Sequence, residues 1–228
     1  MNAALRNSKA HVFVDNLAVP HLRPDDEHHL VKVLRVRDTD SVSVSDGLGG
    51  WLLASLTRSG ELVGQTDVVH EPAPTYPIGV AFAPVKGEKP EVIVQKLTEL
   101  GVDDIVPLTA TRYAVVRWDE SRADRQHPRL VKVAREAAMQ SRRVWLPRVR
   151  VGATLEAVIG EGAAFAEPGG QEVTVEQRLI VIGPEGGYAP EELALSPDRV
   201  SLGESILRAE TAAIVAGTLM AKCRRDAR

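Results

Sequence analysis

The chain has 228 residues, 44% of them hydrophobic and 4% aromatic, with a formal net charge of −3. That is long for one domain and short for two large ones, and aliphatic side chains must supply most of the core. The balance argues against a uniformly polybasic binder of nucleic acid. The single cysteine, Cys223, excludes an internal disulfide and a zinc set of Cys/His spacing, and no run reaches the roughly 20 apolar residues of a membrane span. A cytoplasmic protein with no membrane association and no metal is expected.

The first seventy or so residues read as mostly β. Residues 11–14, 41–44, 51–56 and 61–69 carry strand composition, with turn signals at Asp46-Gly47 and Gly49-Gly50. One short helix is predicted over 28–35. A small β-barrel with one helix is the expected architecture of residues 1–72. Pro72, Pro74 and Pro77 then make a stiff, extended connection, because proline fixes φ and donates no backbone hydrogen bond.

From residue 73 to 228 the texture alternates. Strands are predicted at 78–83, 105–108, 163–166, 179–182 and 200–202. Helices are predicted at 90–100, ending before Gly101, at 128–141, near Pro190, and at 204–223. Such alternation implies an α/β domain around a parallel sheet.

The apolar strand 179–182 runs straight into Gly183-Pro184-Glu185-Gly186-Gly187. Strand, glycine turn and helix is where open α/β sheets bind ligands. Neither G-x-G-x-x-G nor the P-loop pattern is present, and Glu185 would repel a polyphosphate. A ligand that is neutral or cationic at its centre fits better; a tight structural connection is the plain alternative. Twenty residues on, Leu202-Gly203 leads into Ile206-Leu207-Arg208-Ala209-Glu210-Thr211-Ala212. Charges in so apolar a predicted helix are costly unless paired or functional, so Arg208 and Glu210 are either an ion pair or site residues.

Charge is also segregated. Arg122, Arg125, Arg129, Lys132, Arg135, Arg142, Arg143, Arg148 and Arg150 fall in one segment with only Asp124 and Glu136 among them. Arg125, Arg129, Lys132 and Arg135 share a helix face, which is a candidate phosphate-tracking surface or simply a solvated one. Lys32 and Arg35 are weaker RNA-binding candidates.

Together these segments resemble the SPOUT superfamily of methyltransferases, and within it the ribosomal RNA small subunit methyltransferase E family. The likeness rests on Ile182-Gly183-Pro184-Glu185-Gly186-Gly187-Tyr188 and on Leu202-Gly203 with Ile206 to Ala212. It extends to the segments 95–102, 136–141 and 29–35, in the family's order along nearly the whole chain. Met139, Ala189 and His11 stand where the family usually has Glu, Ser and Arg.

The resemblance implies a C-terminal parallel-sheet domain tied in a trefoil knot, a rare exception to unknotted chains. It also implies an N-terminal PUA-like, RNA-binding β-barrel and a homodimer. The implied reaction is methylation of N3 of a uridine in 16S rRNA of the small ribosomal subunit, with S-adenosyl-L-methionine as donor. The implied cofactor residues are Ile182, Gly183, Pro184, Glu185, Gly186 and Gly187; Leu202, Gly203, Ile206, Leu207, Arg208, Thr211 and Ala212; and, from a third wall at 165–168, Phe165 and Glu167. Arg208 and Glu210 are the expected catalytic pair, and Arg142 and Arg143 join the basic helix as RNA contacts. A non-catalytic ribosome-assembly factor and a transfer-RNA methyltransferase are the alternatives.

Overall fold

The computed structural model describes residues 2–57, 59–87 and 89–227. The chain divides into two units: Met1–Pro74 with Glu136–Leu146, and Thr75–Arg135 with Pro147–Arg228.

The first unit comprises α1 (Ala3–Asn7), β1 (Ala10–Phe13), α2 (Pro24–His28), β2 (Ser41–Ser45), β3 (Gly50–Leu56), β4 (Leu62–Gly64) and β5 (Val69–His70). β1 runs parallel to β2, β3 is antiparallel to β2, and β4 and β5 both pair with β3. The sheet is open: among the described residues no pairing joins β1 to β4, so a five-stranded sheet stands where a closed barrel was expected. The strand predicted at 61–69 is two short ones. Between them Thr66 Oγ1, not a backbone carbonyl, accepts the Leu53 N–H at 3.0 Å, which interrupts the ladder. The predicted helix begins earlier, at Pro24, where proline at the first turn and Asp25, Asp26 and Glu27 suit a helix N-terminus. It continues as a π turn over His29–Val33 and stops at Arg35, whose φ of 50° is left-handed.

Two of the departures from the family pattern lie inside this unit. His11 is buried, with Nδ1 2.8 Å from Ser43 Oγ and Nε2 donating to the Arg143 carbonyl at 3.0 Å. Met139 packs on the core of Val12, Val42, Val44, Leu52 and Ala54.

The second unit carries β6 (Gly79–Phe82), α3 (Lys89–Glu99), β7 (Asp104–Pro107), α4 (Glu120–Ser141, whose last residues count with the first unit), β8 (Arg148–Val149), α5 (Leu155–Gly160), β9 (Ala164–Gln171), β10 (Leu179–Ile182), α6 (Pro190–Leu193), β11 (Arg199–Val200) and α7 (Ala209–Asp226). The strands form one sheet in the order β11-β9-β10-β6-β7-β8, parallel throughout. Successive side chains point to opposite faces, and both faces are covered. Val80, Phe82, Ile105, Ile180 and Ile182 meet α3, α4 and α7; Ala81, Val106, Phe165, Leu179 and Val181 meet Leu155, Val158 and Tyr188.

Two helix boundaries differ from expectation. α4 starts at Glu120 because Asp119 Oδ1 accepts the Arg122 N–H at 2.7 Å and caps it, leaving Pro128 inside the helix. α7 starts at Ala209, not 204: Arg208 is extended (ψ 152°) and is the N-cap residue, so Arg208 precedes the helix instead of lying in it.

α3 and α7 meet closely at Gly217, where a Cβ would stand 2.8 Å from Leu97 Cδ2 and 3.2 Å from Val102 Cγ2. Gly217→Val should therefore lower the unfolding free energy by about 1–3 kcal/mol through overpacking, read from chemical denaturation midpoints.

Candidate active site

The turn after β10 and the loop after β11 converge beside the middle of β9, at residues 166–168. After β10 the turn closes with the Gly187 N–H donating to Pro184 O at 2.9 Å, and Gly187 takes a φ of 73°, a conformation that favours glycine. Tyr188 then turns back under the sheet end. Its hydroxyl donates to Val181 O at 2.9 Å and its ring meets Phe165 edge-on, with centroids 4.8 Å apart. Gly183 lies against that ring so closely that a Cβ would come within 2.9 Å of it.

These loops enclose a cavity of about 330 Å³. Its walls are Ala166, Glu167 and Pro168 from β9; Ile182, Gly183, Pro184, Glu185, Gly186, Gly187 and Tyr188 from β10 and its turn; Leu202, Gly203, Ser205, Ile206 and Leu207 beyond β11; and Ala209 and Ala212 of α7. Of the residues expected to hold the cofactor, Phe165, Arg208 and Thr211 do not line it. Phe165 is fully buried behind Tyr188, while Arg208 and Thr211 are exposed. Tyr188, Ser205 and Ala209 line it without being among the expected cofactor residues. Ser205 and Ala209 carry no chemical signature in the sequence, whereas Tyr188 directly follows the glycine turn.

Among the described residues no Lys, Arg or His side chain lines the cavity, and its carboxylates are Glu167 and Glu185. Burial pushes the Glu167 carboxyl up, and the positive charge of Arg199 opposes that shift. Such a pocket disfavours phosphates and suits an apolar or cationic ligand.

Arg208 and Glu210 are not an ion pair with each other. Glu210 instead binds Lys89, with Nζ 3.1 Å from Oε1 and 3.2 Å from Oε2, and the same Nζ lies 3.9 Å from Glu185 Oε1. Burial raises the Glu210 carboxyl, but its own backbone N–H at the start of α7 and the Lys89 ammonium outweigh that and leave it below the usual carboxylate range. Lys89 escaped the sequence reading because it lies 121 positions from Glu210 in the chain.

The basic residues are differently employed. In the second unit Arg125 is exposed and donates to Ser121 Oγ, while Arg129 Nε is 2.8 Å from Glu91 Oε1. Lys132 is exposed and Arg135 half-buried, and both have interaction partners. Arg150 is locked to Asp104 and Glu161 at 2.7 Å each, which raises its already high pKa further. In the first unit Lys32 and Arg35 are exposed; Arg142 is half-buried and donates to Ser8 O at 2.9 Å; and Arg143 accepts from His11 through its carbonyl.

The fold and the cavity define an α/β protein with a site for an apolar or cationic ligand, and comparison with known proteins gives its family. Residues 71–221 match the model of the RNA methyltransferase domain family. The ribosomal RNA small subunit methyltransferase E of Mycobacterium bovis is 31% identical, covering 90% of this chain and 88% of its own length. The Bacillus subtilis protein of the same name is also 31% identical, over 84% of this chain and 85% of its own. A Legionella pneumophila protein described as a methyltransferase, solved with its cofactor S-adenosylmethionine (SAM) bound, superposes with a TM-score of 0.79 at 26% identity, covering 92% of this chain and 96% of its own. The chain belongs to the RNA methyltransferase family, in the group of ribosomal RNA small subunit methyltransferases E.

Because the Lys89 contact helps keep Glu210 ionised, it persists at neutral pH and is lost only as pH falls through that lowered pKa. In Lys89→Met the Glu210 carboxyl should titrate at higher pH than in the wild type, which carbon-13 NMR of labelled glutamate would read.

Proposed function

We propose that this protein transfers the methyl group of SAM to N3 of a uridine in 16S rRNA of the small ribosomal subunit, acting as a homodimer in the cytoplasm. The observation that carries the proposal is the cavity between the middle of β9, the turn after β10 and the loop after β11. It is walled by both glycine turns and, among the described residues, free of basic side chains, in a chain whose relatives are named for methylation of small-subunit rRNA. In its light the second unit is a knotted SPOUT domain, with α7 packed on β6 and β10, and the first unit is a PUA-like RNA-binding domain. The half-exposed apolar side chains of α7, Ile214, Val215 and Leu219, are the surface offered to the second subunit.

The residues present suit SAM. Ile182, Leu202 and Leu207 give apolar walls for a base, backbone groups of the two turns give its hydrogen bonds, and Glu167 and Glu185 favour a cation over a phosphate tail. When bound, SAM supplies an electrophilic methyl on a sulfonium whose sulfur keeps the bonding electron pair as the methyl leaves. For the acceptor, N3 must give up its proton as the new N–C bond forms. A carboxylate held as low as Glu210 is a poor base, so the proton passes to solvent and Glu210 serves to fix Lys89. Arg208, exposed at the head of α7, and Lys89 beside the turn supply positive charge for the uridine oxygens as negative charge develops. Alignment in a preformed pocket supplies much of the remaining rate enhancement.

Gly187→Val should abolish SAM binding in calorimetry while circular dichroism stays native, because valine strains a backbone at φ 73° in the turn that forms the wall. The wild type should methylate small subunits isolated from cells lacking the enzyme, with mass mapping placing the product on a uridine. Unchanged SAM affinity in the variant would sink the pocket assignment, and methyl transfer to tRNA but not to small subunits would change the substrate.

A further inference from the structure

One loop beside the glycine turn, residues 109–118, has no part in the mechanism above. It is closed on itself: the Trp118 N–H donates to Thr109 O at 2.7 Å and the Ala114 N–H to Thr111 O at 3.1 Å. Glu192 fixes it from outside, accepting the Arg112 N–H at 2.7 Å through Oε1 while its Oε2 accepts the Ala189 N–H at 2.8 Å. Thr111, Ala114 and Trp118 are buried, so the inner residues anchor the loop.

The outward residues are unlike an ordinary solvated loop. Tyr113 is 50% exposed and Val115 72% exposed, and the exposed Arg112 and Arg117 bracket them with no acidic residue between. The position is also specific. A Cβ on Gly186 would stand 3.1 Å from Tyr113 Cβ and 3.6 Å from Tyr113 O, so the tyrosine sits against the turn that walls the cavity.

We propose that Tyr113, with Arg112 and Arg117, is the docking platform for the RNA acceptor. An unpaired base at or next to the target stacks on the phenol ring, and the guanidinium groups hold flanking phosphates. The proposal rests on the methyltransferase function above. N3 lies on the pairing edge of uridine, so the base must be out of a helix to be reached, and a displaced base needs a flat partner. Proteins hold unpaired RNA by stacking its bases on exposed aromatic rings while neighbouring basic side chains hold its phosphates. The two arginines favour a polyanion over an apolar protein surface, the nearby Glu192 being taken up by the backbone N–H groups of Arg112 and Ala189.

The test uses the full-length protein with Tyr113→Ala, Tyr113→Phe and Arg112→Ala. Binding to a small-subunit rRNA fragment, kcat/KM for methyl transfer to small subunits, SAM affinity by calorimetry and mass by sedimentation are measured for each. Tyr113→Ala should lose about ten- to a hundredfold in RNA binding and in kcat/KM with SAM affinity unchanged, and Tyr113→Phe, which keeps the ring, should retain most of both. Arg112→Ala should weaken RNA binding and flatten its salt dependence. Unaltered RNA binding and kinetics in Tyr113→Ala would overturn the proposal. A loss accompanied by dissociation of the oligomer would also overturn it, making the loop a subunit interface. RNA binding stands as a readout even where no methyl transfer is seen. A wild type that binds RNA through Tyr113 but transfers no methyl would fault the reaction and leave the platform.

Discussion

A parallel sheet buried on both faces has only its strand ends left for chemistry, and that constraint organises the second unit. Val80, Phe82 and Ile180 are committed to one core and Ala81, Leu179 and Val181 to the other, so no side chain in the middle of β6 or β10 is available to a ligand. The ligand space is made where β10 and β11 stop, beside residues 166–168 of β9, by backbone that must turn sharply and by the few side chains carried with it. Tyr188 illustrates the economy of this arrangement. One residue fills the space under the turn, closes a buried carbonyl and lends the cavity part of its wall.

The site is electrostatically divided. Among the described residues the cavity itself holds carboxylates and no basic side chain, while the positive groups, Lys89 and Arg208, stand around it. The proposed reaction, with a cationic donor and an acceptor that becomes anionic, asks for that division, one sign inside the pocket and the other at its rim. Glu210 belongs to this rim as the counter-ion of Lys89, and its depressed pKa follows from that placement together with the backbone N–H at the start of α7.

Much of the second unit was legible in the sequence because its signals are local. The strand 179–182 matches β10 at both ends, and Gly101 follows α3 as a helix terminator should. The two glycine turns carry their own chemistry, and both line one cavity. What the sequence hid depends on distant partners. Lys89 meets Glu210 across the fold, Arg129 is taken up by Glu91, and Arg150 by Asp104 and Glu161, so a stripe of basic residues overstates the charge left for RNA. The start of α7 was missed because an apolar run reads as helix, whereas Gly203 and the extended Arg208 make the five residues before Ala209 a loop. In the first unit one side chain, Thr66, splits what composition presents as a single strand.

The chain passes between its two units three times, after Pro74, after Arg135 and after Leu146. The segment 136–146 is no passenger in the first unit: Val144 packs with Leu5 and Trp51 and accepts the Gly49 N–H, and Trp145 donates to the Glu71 carbonyl. The proline run therefore marks a boundary in the sequence without being a place to cut. A fragment ending at residue 74 would be born without part of its own core. During synthesis the N-terminal unit must wait for roughly seventy further residues to leave the ribosome before it can close, so the two units cannot mature strictly one after the other.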